Sequence, residues 1–198
     1  MSFSIGKLHV VVGPMASEKS TYTMNALTKH AIVTGERVLF IDSDKNTRPN
    51  KYSTHCRSKS ITDVELIDFK SLPTLYEMNF NDLNDYKVIG IDEGQFFEDL
   101  YEFVKYCVQN LGKTLYVSGL DGTSEMKSFG QMCNLVPIAD TFVKFQAICK
   151  QCYLETGCYI EAPFTKYVGG ELKSADEKVG GLDIYQPTCR LHYRSYDD

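Results

Sequence analysis

The residues best placed to do chemistry first appear in His9–Thr21, HVVVGPMASEKST. An apolar β-branched run, Val10-Val11-Val12, ends at Gly13. After a short turn, Lys19-Ser20 opens a segment of helical pattern. Strand, Gly-led loop, Lys-Ser and helix are the layout of a phosphate-binding loop. Such a loop turns successive N–H groups inward, and the helix N-terminus adds partial positive charge, so together they cradle phosphate oxygens. Gly13, Pro14, Met15, Ala16, Ser17, Glu18, Lys19, Ser20 and Thr21 would form it. Lys19 would reach the β- and γ-phosphates, and the Ser20 hydroxyl would ligate Mg²⁺. The pattern wants glycine where Glu18 stands, and a carboxylate beside a polyphosphate is repulsive. The competing reading is an ordinary strand–turn–helix joint with a surface lysine.

A second signal is the run VIGIDEGQFF, a hydrophobic strand ending in Asp92 and Glu93. A phosphate loop needs such an acid to hold Mg²⁺ through its water shell, and Asp92 is placed for it. Glu93, expected on the opposite side of an extended backbone, could accept a proton from an attacking hydroxyl.

The third signal is Cys149-Lys-Gln-Cys152 with Cys189-Arg-Leu-His192. Two such knuckles supply three sulfurs and one nitrogen, a tetrahedral set for Zn²⁺. With all four positions filled by protein, the site would be structural. Cys158 is a reserve ligand, whereas Cys56, Cys107 and Cys133 suit core or free thiols.

The elements that must position these groups alternate. Strand patterns cover residues 7–13, Val38–Ile41, Glu65–Phe69, the run before Asp92, and Thr114–Gly119. Helical patterns cover Ser20–Val33 (Met24, Leu27, Ala31 and Ile32 at helical spacing, Gly35 as stop), Leu72–Phe80 and Leu100–Leu111. Asp42–Ser60 is polar and reads as loop. Alternation predicts a three-layer α/β domain with a parallel sheet, whose carboxyl edge would gather Gly13, Asp92 and Leu120. From about Thr141 the pattern changes to short β-like pieces around cysteines. We therefore expect a nucleotide-binding domain over 1–140 and a zinc-binding domain over 141–198.

Composition agrees with a globular chain: 198 residues, 43% hydrophobic, 24% charged. A net charge of -5 argues against a nucleic-acid binder. No apolar run has membrane-spanning length, and the seven cysteines favour metal ligation or free thiols over a disulfide framework. The expectation is a cytoplasmic protein with neither nucleic-acid nor membrane partner.

With these residues assembled, the chain resembles the zinc-containing (type II) thymidine kinases, several of whose viral members are similar in size. The likeness rests on GPMASEKST, KNTR (Lys45 to Arg48), Thr54-His55, IDEGQFF (Ile91 to Phe97), LDGT (Leu120 to Thr123), Phe129-Gly130 and NLVP (Asn134 to Pro137). The CxxC, GG-x-D-x-Y (Gly180 to Tyr185) and the CRLxY ending complete it. The resemblance implies a P-loop (RecA-like) parallel sheet flanked by helices, with a small C-terminal zinc-ribbon or lasso domain. It implies transfer of the ATP γ-phosphate to the 5'-hydroxyl of thymidine, with Mg²⁺ and structural Zn²⁺, in a homotetramer or homodimer. Lys19, Ser20, Asp92 and Gln95 would serve ATP and metal, Glu93 would be the general base, and Arg48 would stabilise charge on the transferred group. Met15, Phe96, Leu120, Ser124, Phe129 and Tyr185 would line the thymidine site, with lasso contacts from Thr165, Gly180 and Gly181.

Four departures accompany the likeness: Glu18 for glycine, Asn46 for the acid of KDTR, Ser124 for phenylalanine after LDGT, and His192 for a fourth cysteine. The lasso between Cys152 and Gly180 also looks several residues longer than usual. The first three fall at the active site, and Glu18 and Asn46 motivate an alternative, a catalytically impaired member that binds nucleotide or a partner.

Overall fold

The computed structural model describes residues 5–46, 65–169 and 180–194. Its elements are β1 (Lys7–Val12), α1 (Lys19–Thr34), β2 (Val38–Ser43), β3 (Ile67–Leu72), β4 (Val88–Ile91), α2 (Leu100–Gln109), β5 (Thr114–Gly119) and β6 (Thr141–Lys144). There follow β7 (Ala147–Ile148), α3 (Lys150–Thr156), β8 (Glu161–Ala162), β9 (Phe164–Tyr167), β10 (Tyr185–Thr188) and α4 (Arg190–Arg194). β1 to β6 form one parallel sheet in the order β3-β2-β4-β5-β1-β6. The expected parallel α/β architecture is what the chain adopts.

The side-chain period of two divides each central strand between two cores. Val38, Phe40 and Val88 pack with Met24, Leu27 and Ala31 of α1 on one face. Leu39, Ile41, Ile89 and Ile91 pack with Leu100, Phe103, Val104 and Cys107 of α2 on the other. Strands covered on both faces read as continuous apolar runs, as they do here. Each fully buried aliphatic side chain contributes about 1.5–3 kcal/mol. α1 lies close because β4 offers Gly90 beneath it: a Cβ there would stand 2.7 Å from Leu27 Cδ1 and 3.0 Å from Thr23 Cγ2.

Several local expectations are corrected. Ile32 is exposed, because the buried stripe of α1 runs through Thr23, Met24, Leu27 and Ala31 and turns Ile32 outward. The helix expected over Leu72–Phe80 is one 3-10 turn, Leu75–Glu77. Pro73 holds Leu72 extended, so β3 continues to that residue and begins two residues later than expected. β2 runs on through Asp42 and Ser43, all six of its residues buried, where a loop was expected.

In a parallel sheet every carboxyl end opens on the same edge. Gly13, Asp42, Asp92 and Leu120 therefore lie along one rim. Beyond β6 the chain makes two antiparallel pairs, β7 with β8 and β9 with β10. Their core is small: Ala147 and Ala162 with Cys149, Cys152 and Cys189. No helix among the described residues is long and apolar enough to cross a membrane.

Candidate active site and metal centre

Gly13 opens the loop after β1 at φ 150°, and a Cβ on it would meet the Phe145 carbonyl oxygen at 2.4 Å. Only glycine fits so close a backbone crossing. The loop closes on itself: Ser17 Oγ donates to the Pro14 carbonyl (2.8 Å), and Lys19 Nζ donates to the same oxygen (2.6 Å). Lys19 is buried, its ammonium folded over the loop that it would need to serve. Glu18 adopts the left-handed conformation, φ 65°, immediately before α1. Its carboxylate is exposed and accepts from Thr21 Oγ1 at 2.7 Å. Ser20, the expected metal ligand, is half-buried on the first turn.

The acids sit across β5 from this loop. Asp92, 5% exposed, continues β4: its N–H donates to the Ile41 carbonyl of β2 (2.8 Å), and its Oδ1 accepts from Ser118 Oγ of β5 (2.7 Å). Glu93 does not continue the extended backbone, as expected from sequence, but turns into the left-handed region at φ 51°. That conformation costs a non-glycine residue about 1 kcal/mol or more and clusters at functional sites. Gln95 holds the turned carboxylate, donating from Nε2 to Glu93 Oε2 (2.6 Å) while its Oε1 accepts from the Leu120 N–H (2.9 Å). Gln95 thus ties the proposed base to the loop after β5, a wider role than the nucleotide contact expected of it.

Asp42 is the acid that sequence reasoning missed. It is fully buried at the end of β2, where Asn46 Nδ2 donates to its Oδ2 (2.8 Å) and no described group meets its Oδ1. Burial, with the nearby charge of Asp92 and then Glu93, pushes its carboxyl up to about 7, against the opposing Asn46 hydrogen bond. The family pattern places an acid at 46. Here Asn46 is bonded to Asp42, so a carboxylate occupies the neighbourhood from four residues upstream.

Among the expected nucleoside contacts, Phe96 and Phe129 meet edge to face, centroids 5.6 Å apart. Leu120 is half-buried beside Gln95. The Met15 N–H donates to Thr165 Oγ1 (3.1 Å), which joins the phosphate loop to β9. Tyr185, buried on β10, packs its ring against Tyr167, and the Gly181 carbonyl accepts from its N–H (3.0 Å). Gly180 is half-buried beside it. Ser124 lends its carbonyl to Tyr193 Oη (2.6 Å). Arg48 lies outside the described residues, as do Thr54, His55 and Cys56.

The second centre is complete. Cys149, Cys152, Cys189 and His192 are buried with their donor atoms within 4.8 Å of one another. His192 Nδ1 stands 3.6, 3.3 and 3.4 Å from the sulfurs of Cys149, Cys152 and Cys189, and Cys152 Sγ is 3.6 Å from Cys189 Sγ. A zinc tetrahedron with bonds of about 2.3 Å to sulfur and about 2.0 Å to nitrogen has edges of roughly 3.5–3.8 Å. The donors fit, and the cluster could hold zinc. Cys158 stays out of it: exposed, its thiol contacts the Thr156 carbonyl. The histidine in place of a fourth cysteine is accommodated because the far side of its ring meets an acid, Glu155, at 3.0 Å.

The family model described as thymidine kinase matches residues 6–193. The cytosolic thymidine kinase of Bos taurus is 38% identical over 190 residues, 95% of this chain and 72% of the bovine protein. That of Homo sapiens is 38% identical over 190 residues, 95% of this chain and 73% of the human protein. The thymidine kinase of Variola virus is 34% identical over 188 residues, 95% of this chain and 97% of the viral one. The matched span takes in the phosphate loop, the acids of β4 and the Cys/His cluster together, and the chain belongs to the thymidine kinase family.

Proposed function

We propose that the chain transfers the γ-phosphoryl group of ATP to the 5'-hydroxyl of thymidine. The observation that carries this reading is the shared rim. The loop of Gly13–Thr21 and the acids Asp92 and Glu93 open on one carboxyl edge of one sheet, in a chain of this family. Mg²⁺ bound there would neutralise the phosphates, with Ser20 and Asp92 holding it and Asp42 adding negative charge.

The chain's own groups divide the work. The N–H groups of the loop and Lys19, swung away from the Pro14 carbonyl, bind the β- and γ-phosphates. Glu93, held by Gln95, takes the proton of the 5'-hydroxyl as that oxygen bonds to the γ-phosphorus and the bond from γ-phosphorus to the bridging oxygen breaks. Arg48 stabilises charge on the transferring group. Met15, Phe96, Leu120, Phe129 and Tyr185 enclose the base, Phe96 by stacking, while Thr165, Gly180 and Gly181 approach its edge. Ser124, smaller than the family's aromatic residue, leaves that pocket wider.

The cluster of Cys149, Cys152, Cys189 and His192 acts as a closed structural zinc site that pins the lasso. We assign residues 1–140 to nucleotide binding and 141–198 to the zinc and base-binding part, which lends β6 to the main sheet. The working protein is a cytoplasmic homotetramer or homodimer.

The departures that suggested an impaired member are accommodated locally. Glu18 is turned to solvent against Thr21, and Asp42 accompanies Asn46. Purified protein given ATP, Mg²⁺ and each of the four natural deoxynucleosides should form thymidine monophosphate fastest. Absence of any nucleoside monophosphate would refute the reading.

A further inference from the structure

α3 carries more than two cysteines toward the metal cluster. Cys149, the residue that caps its start, recurs with Cys152 and Glu155 every third residue, so the three share one side of this short helix. Glu155 Oε2 lies 3.0 Å from His192 Nε2, while Nδ1 of the same ring faces the three sulfurs. A carboxylate only accepts here, so Nε2 carries the hydrogen and Nδ1 presents its lone pair to a metal. Gln151 Nε2 donates to the other oxygen of Glu155 (2.7 Å) and fixes the carboxylate in turn.

One residue past His192 the chain reaches toward the nucleoside side. Tyr193 Oη donates to the Ser124 carbonyl at 2.6 Å, 69 residues away in sequence. Ser124 belongs to the loop after β5, which is closed by Thr123 N–H to the Lys127 carbonyl (2.8 Å) and by Phe129 N–H to the Asp121 carbonyl (3.1 Å). This loop therefore carries Leu120, Ser124 and Phe129 as one unit. The end of α4 is tied down separately, because Lys166 Nζ donates to the carbonyls of His192 (3.3 Å) and Tyr193 (2.6 Å).

We propose that Glu155 and Tyr193 are positioning residues through which the metal cluster holds the nucleoside loop. Glu155 fixes the His192 ring, the ligated ring fixes α4, and Tyr193 on α4 clamps the loop by the Ser124 carbonyl. The metal in this way supports nucleoside binding from a distance. The proposal rests on the zinc and nucleoside readings given above.

Two substitutions test it in the full-length, zinc-loaded protein. Competition with a chromophoric chelator should show zinc affinity falling about 10- to 100-fold in Glu155→Ala, the usual effect of losing an outer-shell partner. Glu155→Gln keeps an acceptor oxygen and should recover most of that loss. Tyr193→Phe keeps the ring and removes one hydroxyl. It should raise the thymidine KM about fivefold, the scale of one neutral hydrogen bond, with kcat and the ATP KM unchanged. Glu155→Ala at limiting zinc should also speed amide hydrogen exchange in residues 120–129. Wild-type zinc affinity in Glu155→Ala would overturn the proposal. So would an unchanged thymidine KM in Tyr193→Phe, or a loss spread equally over kcat and the ATP KM. A wild-type protein without thymidine turnover would defeat the kinase reading instead, and the chelator and exchange measurements would still judge the relay.

Discussion

The sheet rim and the Cys/His cluster solve the same problem, bringing distant residues together, with opposite resources. The rim borrows its precision from a large core: Leu39, Ile41, Ile89, Ile91, Leu115 and Val117 are all fully or almost fully buried beneath it. It can therefore afford features that cost stability, such as Glu18 and Glu93 in the left-handed region and Asp42 buried beside two further acids. Among the described residues the cluster has almost no core, only two alanines and three cysteines. Its donors stand at the separations of a zinc tetrahedron, so on the zinc reading its order would depend on the ion and its partners. Strain collects where a core can absorb it, and donors able to hold a metal gather where the core is small.

Removing zinc would break this contrast most widely. With a strong chelator, amides in β7 to β10 and α4 should lose exchange protection, since a structural zinc is worth about 10 kcal/mol or more of apparent folding energy. The six-stranded sheet should keep its protection. Equal loss in both regions would show that the cluster also supports the main core.

Next in size is Glu93→Gln. Losing a general base costs about 10²–10⁴ in turnover, and ATP binding should survive because the loop of Gly13–Thr21 is intact. Turnover within threefold of wild type would remove Glu93 from that role.

Asp42 gives a smaller, pH-dependent effect whose sign is fixed by its upward shift. Between the ordinary 3.8 and about 7 the folded state binds more protons at this group than the unfolded state does. Stability from Asp42 is therefore lost as pH rises through that window, with the full penalty present above it. Asp42→Asn should flatten this slope and stabilise the ligand-free protein at pH 8. Parallel stability-versus-pH curves for the two proteins would contradict the assignment.

The smallest change is expected from Glu18→Gly. It relieves a left-handed residue and should add about 0.5–1 kcal/mol of stability, with ATP affinity altered less than threefold because the carboxylate is exposed. A tenfold gain in ATP affinity would mean that Glu18 faces the phosphates.

Both regions left marks in the sequence, of different kinds. The phosphate loop, the apolar run before Asp92 and the paired Cys knuckles were legible because each is a local pattern with a fixed chemical reason. The parallel sheet followed from strands without alternation. What stayed hidden depends on tertiary placement. Asp42 looked like the first residue of a polar loop, because a strand that ends in Asp-Ser hides its last two positions among polar neighbours. An extended Glu93 is the expectation from sequence, since nothing in a dipeptide of acids announces a left-handed turn. Ile32 matched the apolar composition of α1 but not the narrow stripe through Met24, Leu27 and Ala31. Glu155 could have been found, because the spacing C-x-x-C-x-x-E puts an acid on the ligand side of a helix.

The central claim is that this rim moves a phosphoryl group from ATP to thymidine. It is tested most directly by incubating the zinc-loaded protein with thymidine, Mg²⁺ and ATP labelled at the γ-phosphate. The account predicts label in 5'-thymidine monophosphate, formed in step with ADP. Label that stays in ATP, or that passes only to inorganic phosphate, would contradict it.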